Sequence, residues 1–277
     1  MAATLFLSEL RVDRKLTDDY LDRLLANPAE QSSPVQESMR YAVLGAGQRL
    51  RPLLAYRTAR ILNQECAATL RAAAAVELVH CASLIVDDLP CMDDSPMRRG
   101  RPSTHVAFGE PVAILAAFSL IALASRSLLE GDLDDTELRA LVRFQKRLLS
   151  TLDSGSLIAG QAMDLQLTGD TRLRHLAQIS ELKTVPLFQL AMHAGAVFAP
   201  PAAGWDSLLD SAGHHIGMLY QMVDDFLDGD DTDEQALAHQ FARTSDLVKQ
   251  FGHRAYLLND MLEFLYGKAF ETDRSHR

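Results

Sequence analysis

The stretch Ala72-Ala73-Ala74-Ala75-Val76-Glu77-Leu78-Val79-His80-Cys81-Ala82-Ser83-Leu84-Ile85-Val86 runs directly into Asp87-Asp88-Leu89-Pro90-Cys91-Met92-Asp93-Asp94. Its first part is almost wholly apolar apart from Glu77, His80 and Ser83, and its length predicts a buried helix rather than a strand. The second part puts carboxylates at the C-terminal end of that helix, where the dipole is already negative. A conflict of this kind marks a functional site more often than a structural one. Pro90 lacks an N–H and its ring clashes with the carbonyl of Val86, so the helix should kink or stop near Asp88. Asp93 would lie on a different face from Asp87 in a straight helix. The turn that Pro90 forces can bring it back beside Asp87.

A second acidic cluster, Asp224-Asp225-Phe226-Leu227-Asp228, follows Gln221. Met218, Leu219, Met222, Val223, Phe226 and Leu227 recur at steps of three and four and predict one apolar helix face, with Gln221, Asp224, Asp225 and Asp228 on the other. Taken alone, this pattern could equally be a solvated acidic face. Carboxylates packed so densely repel one another by roughly 3 kcal/mol per close pair at an effective dielectric of about 20. A hard cation relieves that repulsion, and Mg²⁺ typically bridges one or two carboxylates to substrate phosphates.

Positive charge stands close to both clusters. Arg49 and Arg51 follow the Gly47 turn, Arg98 and Arg99 follow the first cluster, and Lys183 precedes Thr184 and Pro186. Arginine forks suit a bidentate grip on phosphate. Any one of these cations alone reads more simply as a surface ion pair; with the acids, they predict a metal-bridged diphosphate site.

Composition narrows the class. At 277 residues the chain can bury a real core, and 48% hydrophobic content with scarce β-branched runs favours helices. A formal net charge of −10 without a basic stripe argues against nucleic-acid binding. Cys66, Cys81 and Cys91 lack metal-ligand spacing and read as core thiols of a reducing cytosol. No basic region precedes the apolar patch of residues 1–10, so a signal peptide is not expected. The longest apolar run, Val112 to Ala124, is shorter than the roughly 20 residues a membrane helix needs and predicts a helix buried on all sides. The chain is expected to be soluble and cytoplasmic, with no transmembrane segment. Helical spacing between Gly and Pro breaks predicts nine or ten helices in one all-α domain spanning residues 1–277. Asp134 and Glu137 read as a capping box, and 235–250 and 253–266 as terminal helices.

The run from Val76 into Asp87-Asp88-Leu89-Pro90-Cys91-Met92-Asp93 and Arg98-Arg99-Gly100-Arg101-Pro102-Ser103-Thr104-His105 resembles the trans-isoprenyl diphosphate synthases, the polyprenyl synthetase family of geranylgeranyl and farnesyl diphosphate synthases. Gly47-Gln48-Arg49-Leu50-Arg51-Pro52, Gly160-Gln161-Ala162-Met163-Asp164, Lys183-Thr184 and Tyr220-Gln221-Met222-Val223-Asp224-Asp225 resemble further blocks of that family, in the same order. The resemblance implies an antiparallel helical bundle around a deep central cavity, forming a homodimer. It implies Mg²⁺, three ions per site, held by Asp87, Asp88, Asp93, Asp224, Asp225 and Asp228. Arg98, Lys183, Thr184 and Gln221 would contact an allylic diphosphate; Gln48, Arg49, Arg51, His80 and Arg99 would hold isopentenyl diphosphate. Asp87, Asp88, Arg98, Lys183 and Asp224 would carry catalysis, and Ala82 and Ser83 would set chain length. Alanine at the position where the family's short-chain members have an aromatic residue implies geranylgeranyl diphosphate as product.

Two positions depart from the family pattern. Gln48 replaces a lysine, and the segment after Asp228 lacks the lysine of the usual Gly-Lys-x-x-Gly lid. A partner subunit without activity of its own is therefore an alternative, as is a class I terpene cyclase on a related helical fold.

Overall fold

The computed structural model describes residues 2–26, 33–45, 47–199, 205–229 and 233–271. It is all-α, 79% helical, with thirteen α-helices and one two-stranded hairpin among the described residues. The count exceeds the nine or ten expected; one break falls at Gly109, between two α-helices, while those at Thr184 and Gly252 lie where the sequence already marks a kink and a boundary. The chain divides into two compact units, Met1–Tyr56 with Cys66–Gln145, and Arg57–Glu65 with Lys146–Arg277.

The first unit holds α1 (Ala2–Leu24), α2 (Pro34–Leu44), α4 (Ala67–Asp87), the hairpin β1 (Met97–Arg98) and β2 (Arg101–Pro102), α5 (Thr104–Phe108) and α6 (Glu110–Leu128). Both α3 (Leu50–Leu62) and α7 (Asp135–Thr151) begin here and end in the second unit. A capping box starts α2: the Gln36 amide donates to Ser33 Oγ and the Ser33 amide to Gln36 Oε1, with Pro34 in the first turn. The expected box at α7 is present, with the Glu137 amide 2.8 Å from Asp134 Oδ1 and the Asp134 amide 3.2 Å from Glu137 Oε2. Small residues set the main contact. Ala72 to Ala75 on α4, and Ala113, Ala116, Ala117 and Ala124 on α6, are all buried where these helices pack.

Contrary to the sequence expectation, α6 is not buried on all sides. Ile114, Leu115 and Phe118 are 39%, 53% and 69% exposed. Leu120, Leu123 and Leu128 of the same helix are buried, so it is the face carrying Ile114, Leu115 and Phe118 that lacks cover. It also extends beyond the apolar run that predicted it: by length and composition alone, both α4 and α6 could cross a membrane.

The second unit comprises α8 (Leu157–Gln166), α9 (Gly169–Lys183), α10 (Val185–Gly195), α11 (Trp205–Asp228), α12 (Glu234–Val248), a 3-10 turn and α13 (Tyr256–Glu271). Against α10 lies α11, joined by a Phe188–Tyr220 ring contact at 5.2 Å and by Asp210, whose Oδ1 is 2.7 Å from His193 Nε2. Of the predicted apolar face of α11, Leu219 and Val223 are buried, whereas Leu227 is exposed near the helix end. The acidic stretch at residues 230–232, where the lid is read, lies outside the described residues.

Candidate active site

The first acid cluster folds as Pro90 dictates. Helix α4 ends at Asp87, and the Asp93 amide then donates to the Asp87 carbonyl at 3.0 Å. A 2.8 Å bond from the Met92 amide to the Leu89 carbonyl tightens the turn, and Asp94 takes φ 50° to leave it. The backbone thus returns Asp93 to the end of the helix that carries Asp87. Asp88 has a different setting. It is buried, and Arg98 donates to its Oδ1 from Nε at 2.9 Å and from Nη2. Burial alone would lower the Arg98 pKa, but Asp88, Asp87 and Asp93 together raise it above the ordinary arginine value. Asp88 therefore orients Arg98, while the half-buried Asp87 and the exposed Asp93 stand at the same helix end.

The arginines expected near this end separate into two kinds. Arg51 Nη1 and Arg99 Nη2 each lie 3.2 Å from His80 Nε2. Arginine only donates, so that nitrogen is an acceptor and the ring is neutral. Burial, and then the charges of Arg51, Arg99, Arg49 and Arg98, push the His80 pKa well below its usual value. Arg99 also lies across the Gly47 turn: a Cβ at Gly47 would stand 2.6 Å from its Nη1, so any larger residue would displace it. Gln48, in the same turn, is exposed. Arg49 is a correction to the sequence expectation. It is 3% exposed and spends its fork internally, from Nε to Asp18 and from Nη1 to Glu77, both at 2.7 Å, and from Nη2 to the Val43 carbonyl. It braces the turn rather than offering a cation to substrate.

In the second unit, α9 ends at Lys183 and α10 starts with Pro186 in its first turn, as the proline predicts. Lys183 Nζ donates to Asp164 Oδ2 at 2.9 Å, and Arg172 Nε donates to Asp164 Oδ1 at 2.9 Å. Gly160 makes this pairing possible, because a Cβ there would stand 2.5 Å from the Lys183 amide nitrogen. Thr184 Oγ1 donates to Gln221 Oε1 at 2.8 Å, and Gln221 Nε2 donates to Asp225 Oδ1 at 2.7 Å. Asp225 thus belongs to a polar chain running back to Thr184. Asp224 and Asp228, one helical turn apart on α11, are exposed.

The donor set fits Mg²⁺ bound together with a substrate phosphate. Each cluster supplies a carboxylate pair, Asp87 with Asp93 and Asp224 with Asp228. Among the described residues no group of three His, Cys, Asp or Glu side chains forms a metal cage. One or two carboxylates completed by phosphate oxygens is the usual arrangement for this ion. The sequence reading assigned no roles to Glu77, Asp164 and Arg172. Glu77, a carboxylate inside an apolar helix, was the one with a visible signal, since such a group requires a buried partner.

The described structure is thus helical, with Asp87 and Asp93 at the end of one helix and Asp224 and Asp228 one turn apart on another. The chain belongs to the polyprenyl synthetase family, whose model matches residues 32–244. It is 38% identical to geranylgeranyl pyrophosphate synthase 4 of Arabidopsis thaliana over 83% of this chain and 61% of that one. It is 36% identical to the farnesyl diphosphate synthase of Geobacillus stearothermophilus over 75% of this chain and 71% of that one. The chain thus spans about three fifths of the plant relative's length. Among solved structures, a geranyltransferase from Legionella pneumophila superposes with a TM-score of 0.88 at 27% identity, covering 98% of this chain and 100% of that one. An FPP/GFPP synthase from Zymomonas mobilis gives 0.87 at 29% identity, covering 95% and 99%.

Proposed function

We propose that this protein is a Mg²⁺-dependent head-to-tail prenyltransferase that condenses isopentenyl diphosphate with an allylic diphosphate to give geranylgeranyl diphosphate. The observation that carries this reading is the juxtaposition on one helix of His80, neutral beneath two arginines, with the Asp87–Asp93 pair at its end. That helix would present a diphosphate-binding cation pair and a metal-binding acid pair side by side.

Mg²⁺ held by these pairs would supply Lewis acidity and neutralise charge on the departing diphosphate. The chain's own residues do the rest. Arg51 and Arg99 grip isopentenyl diphosphate, and His80, as an acceptor, orients both forks. Arg98, set by Asp88, and Lys183 hold the allylic diphosphate and stabilise the negative charge that develops as the carbon–oxygen bond breaks. The isopentenyl double bond attacks the resulting allylic cation, and the proton lost from the adduct passes to the released diphosphate. No side chain acts as a strong base.

We assign the uncovered face of α6, with Ile114, Leu115 and Phe118, to a homodimer interface, since a contiguous apolar patch of this kind favours a protein partner. A cytoplasmic setting agrees with three cysteines that form no disulfide. A second reading, a partner subunit for an active synthase, is favoured by Gln48 and by the absence of lysine between Asp228 and Lys249. Incubation of the purified protein with Mg²⁺, isopentenyl diphosphate and each allylic primer decides between them. A linear prenyl diphosphate supports the first reading; no product from the protein alone, with stimulation of an active synthase, supports the second. A cyclic hydrocarbon would overturn both.

A further inference from the structure

We propose that Arg172 is a positioning residue for the allylic diphosphate: by sharing Asp164, it frees Lys183 to reach that anion. The inference rests on the reading of Lys183 as an allylic-diphosphate ligand and adds a residue outside the motifs that define the site.

Asp164 is nearly enclosed, its side chain 12% exposed, and two cations divide it. Lys183 takes Oδ2 and Arg172 takes Oδ1, each at 2.9 Å. Lys183 is the inner partner, with its side chain 25% exposed, and Arg172 the outer, at 45%. The contact at Gly160 holds α8 against the Lys183 backbone, so the Asp164–Lys183 pair is built into the junction of these helices rather than met by chance.

The pair by itself would work against substrate binding. A lysine that leaves an enclosed carboxylate strands that charge, and an unpaired charge in such a setting is strongly disfavoured. Arg172 removes the difficulty. One carboxylate against two cations leaves a surplus of one positive charge, and Arg172, with Nε and Nη2 both 2.9 Å from Oδ1, can hold the acid when Lys183 turns away. Burial pushes the Asp164 pKa up, but Lys183 and Arg172 override it and hold the carboxyl below its usual range, so the acid stays ionised. Its anionic form can then be left to Arg172 alone.

The test compares Arg172→Ala, Arg172→Lys, Lys183→Ala and the double variant Arg172→Ala/Asp164→Asn with the full chain. Binding of inorganic diphosphate in Mg²⁺ is measured by calorimetry, and KM is measured separately for geranyl and isopentenyl diphosphate. Thermal melts follow the fold of each variant. Arg172→Ala should weaken diphosphate binding and raise KM for the allylic substrate about three- to tenfold, with KM for isopentenyl diphosphate unchanged. Arg172→Lys should restore most of the loss. Asp164→Asn in the Arg172→Ala background should restore it too, because a neutral amide no longer detains Lys183. A purely structural arginine would show the opposite sign, with the double variant worse than the single. The proposal is overturned if Arg172→Ala binds like the parent or if Asp164→Asn deepens the defect. If Lys183→Ala also binds like the parent, the placement of Lys183 falls and the proposal with it; a defect in Lys183→Ala alone removes only the role of Arg172.

Discussion

The amide of Asp93 donates to the carbonyl of Asp87, six residues back, across a turn that starts at Pro90. Two carboxylates that a continuous helix would separate are thereby placed at one helix end. The pairing depends on the break, so Pro90→Ala should let α4 run on and pull Asp93 away. We expect the Mg²⁺ concentration for half-maximal turnover to rise about tenfold, with little change in Tm. An unchanged Mg²⁺ dependence would show that the turn is not what pairs these acids.

Arg49 and Glu77 are both sealed from solvent and meet at 2.7 Å. Losing Glu77 leaves the buried Arg49 with only the more exposed Asp18, so the loss lies toward the lower end of the roughly 3–5 kcal/mol typical of a broken buried pair. Glu77→Ala should therefore lose stability of that order in urea titrations. Arg51→Ala should instead unfold close to the parent while raising KM for isopentenyl diphosphate. Equal stability of Glu77→Ala and the parent would return Arg49 to the substrate-binding set.

His80 supplies a pH test. Its folded pKa lies well below the ordinary 6.5, through burial and four neighbouring arginines. On acidification the unfolded chain takes up this proton first. The imidazole's contribution is therefore fully present above the unfolded value and declines as pH falls toward the folded one. His80→Gln keeps an acceptor without the titration. The stability of the parent relative to this variant should drop by at most about 1.4 kcal/mol per pH unit below the ordinary value. Parallel curves between pH 7 and 5 would refute the placement.

The three thiols, expected together in the core, divide by position. Cys81 is buried and pushed up to about 12, by burial first and Glu77 second, whereas Cys66 and Cys91 are exposed. A thiol reagent at pH 8 should modify Cys66 and Cys91 in the native protein and reach Cys81 only in denaturant. Because Cys91 lies between Asp87 and Asp93, the acids proposed to hold Mg²⁺, Mg²⁺ with diphosphate should slow its labelling and leave Cys66 unaffected.

Local features were legible in the sequence and long-range ones were not. The Pro90 turn, the break before Pro186 and the capping box at Asp134 were legible because each is decided within a few residues. The inward commitment of Arg49 was not, because it depends on Asp18 and Glu77, both distant in the chain. The open face of α6 was misjudged for a related reason: composition records how apolar a helix is, not how many sides its neighbours cover. The Arg172–Asp164 pairing had no signal, since a lone arginine on a polar helix is ordinary.

The last prediction concerns chain length. Along α4, His80, Ser83, Leu84 and Asp87 are half-buried, whereas Cys81, Ala82 and Ile85 are buried. Spacings of three and four place the first four on one helix face, leading from the imidazole to the acid cluster. Ser83 lies on that stripe, its hydroxyl tied to the His80 carbonyl at 2.8 Å. Ala82, 1% exposed, faces packed neighbours instead. A phenylalanine at Ala82 must therefore overpack the core, at a cost of about 1–3 kcal/mol, whereas one at Ser83 extends over the stripe. Ser83→Phe should shift the product toward shorter chains with Tm nearly intact, while Ala82→Phe should lower Tm first. Chromatography of the dephosphorylated products beside thermal melts separates the two. Shorter product from Ala82→Phe at full stability, with none from Ser83→Phe, would place the growing chain on the other face of the helix.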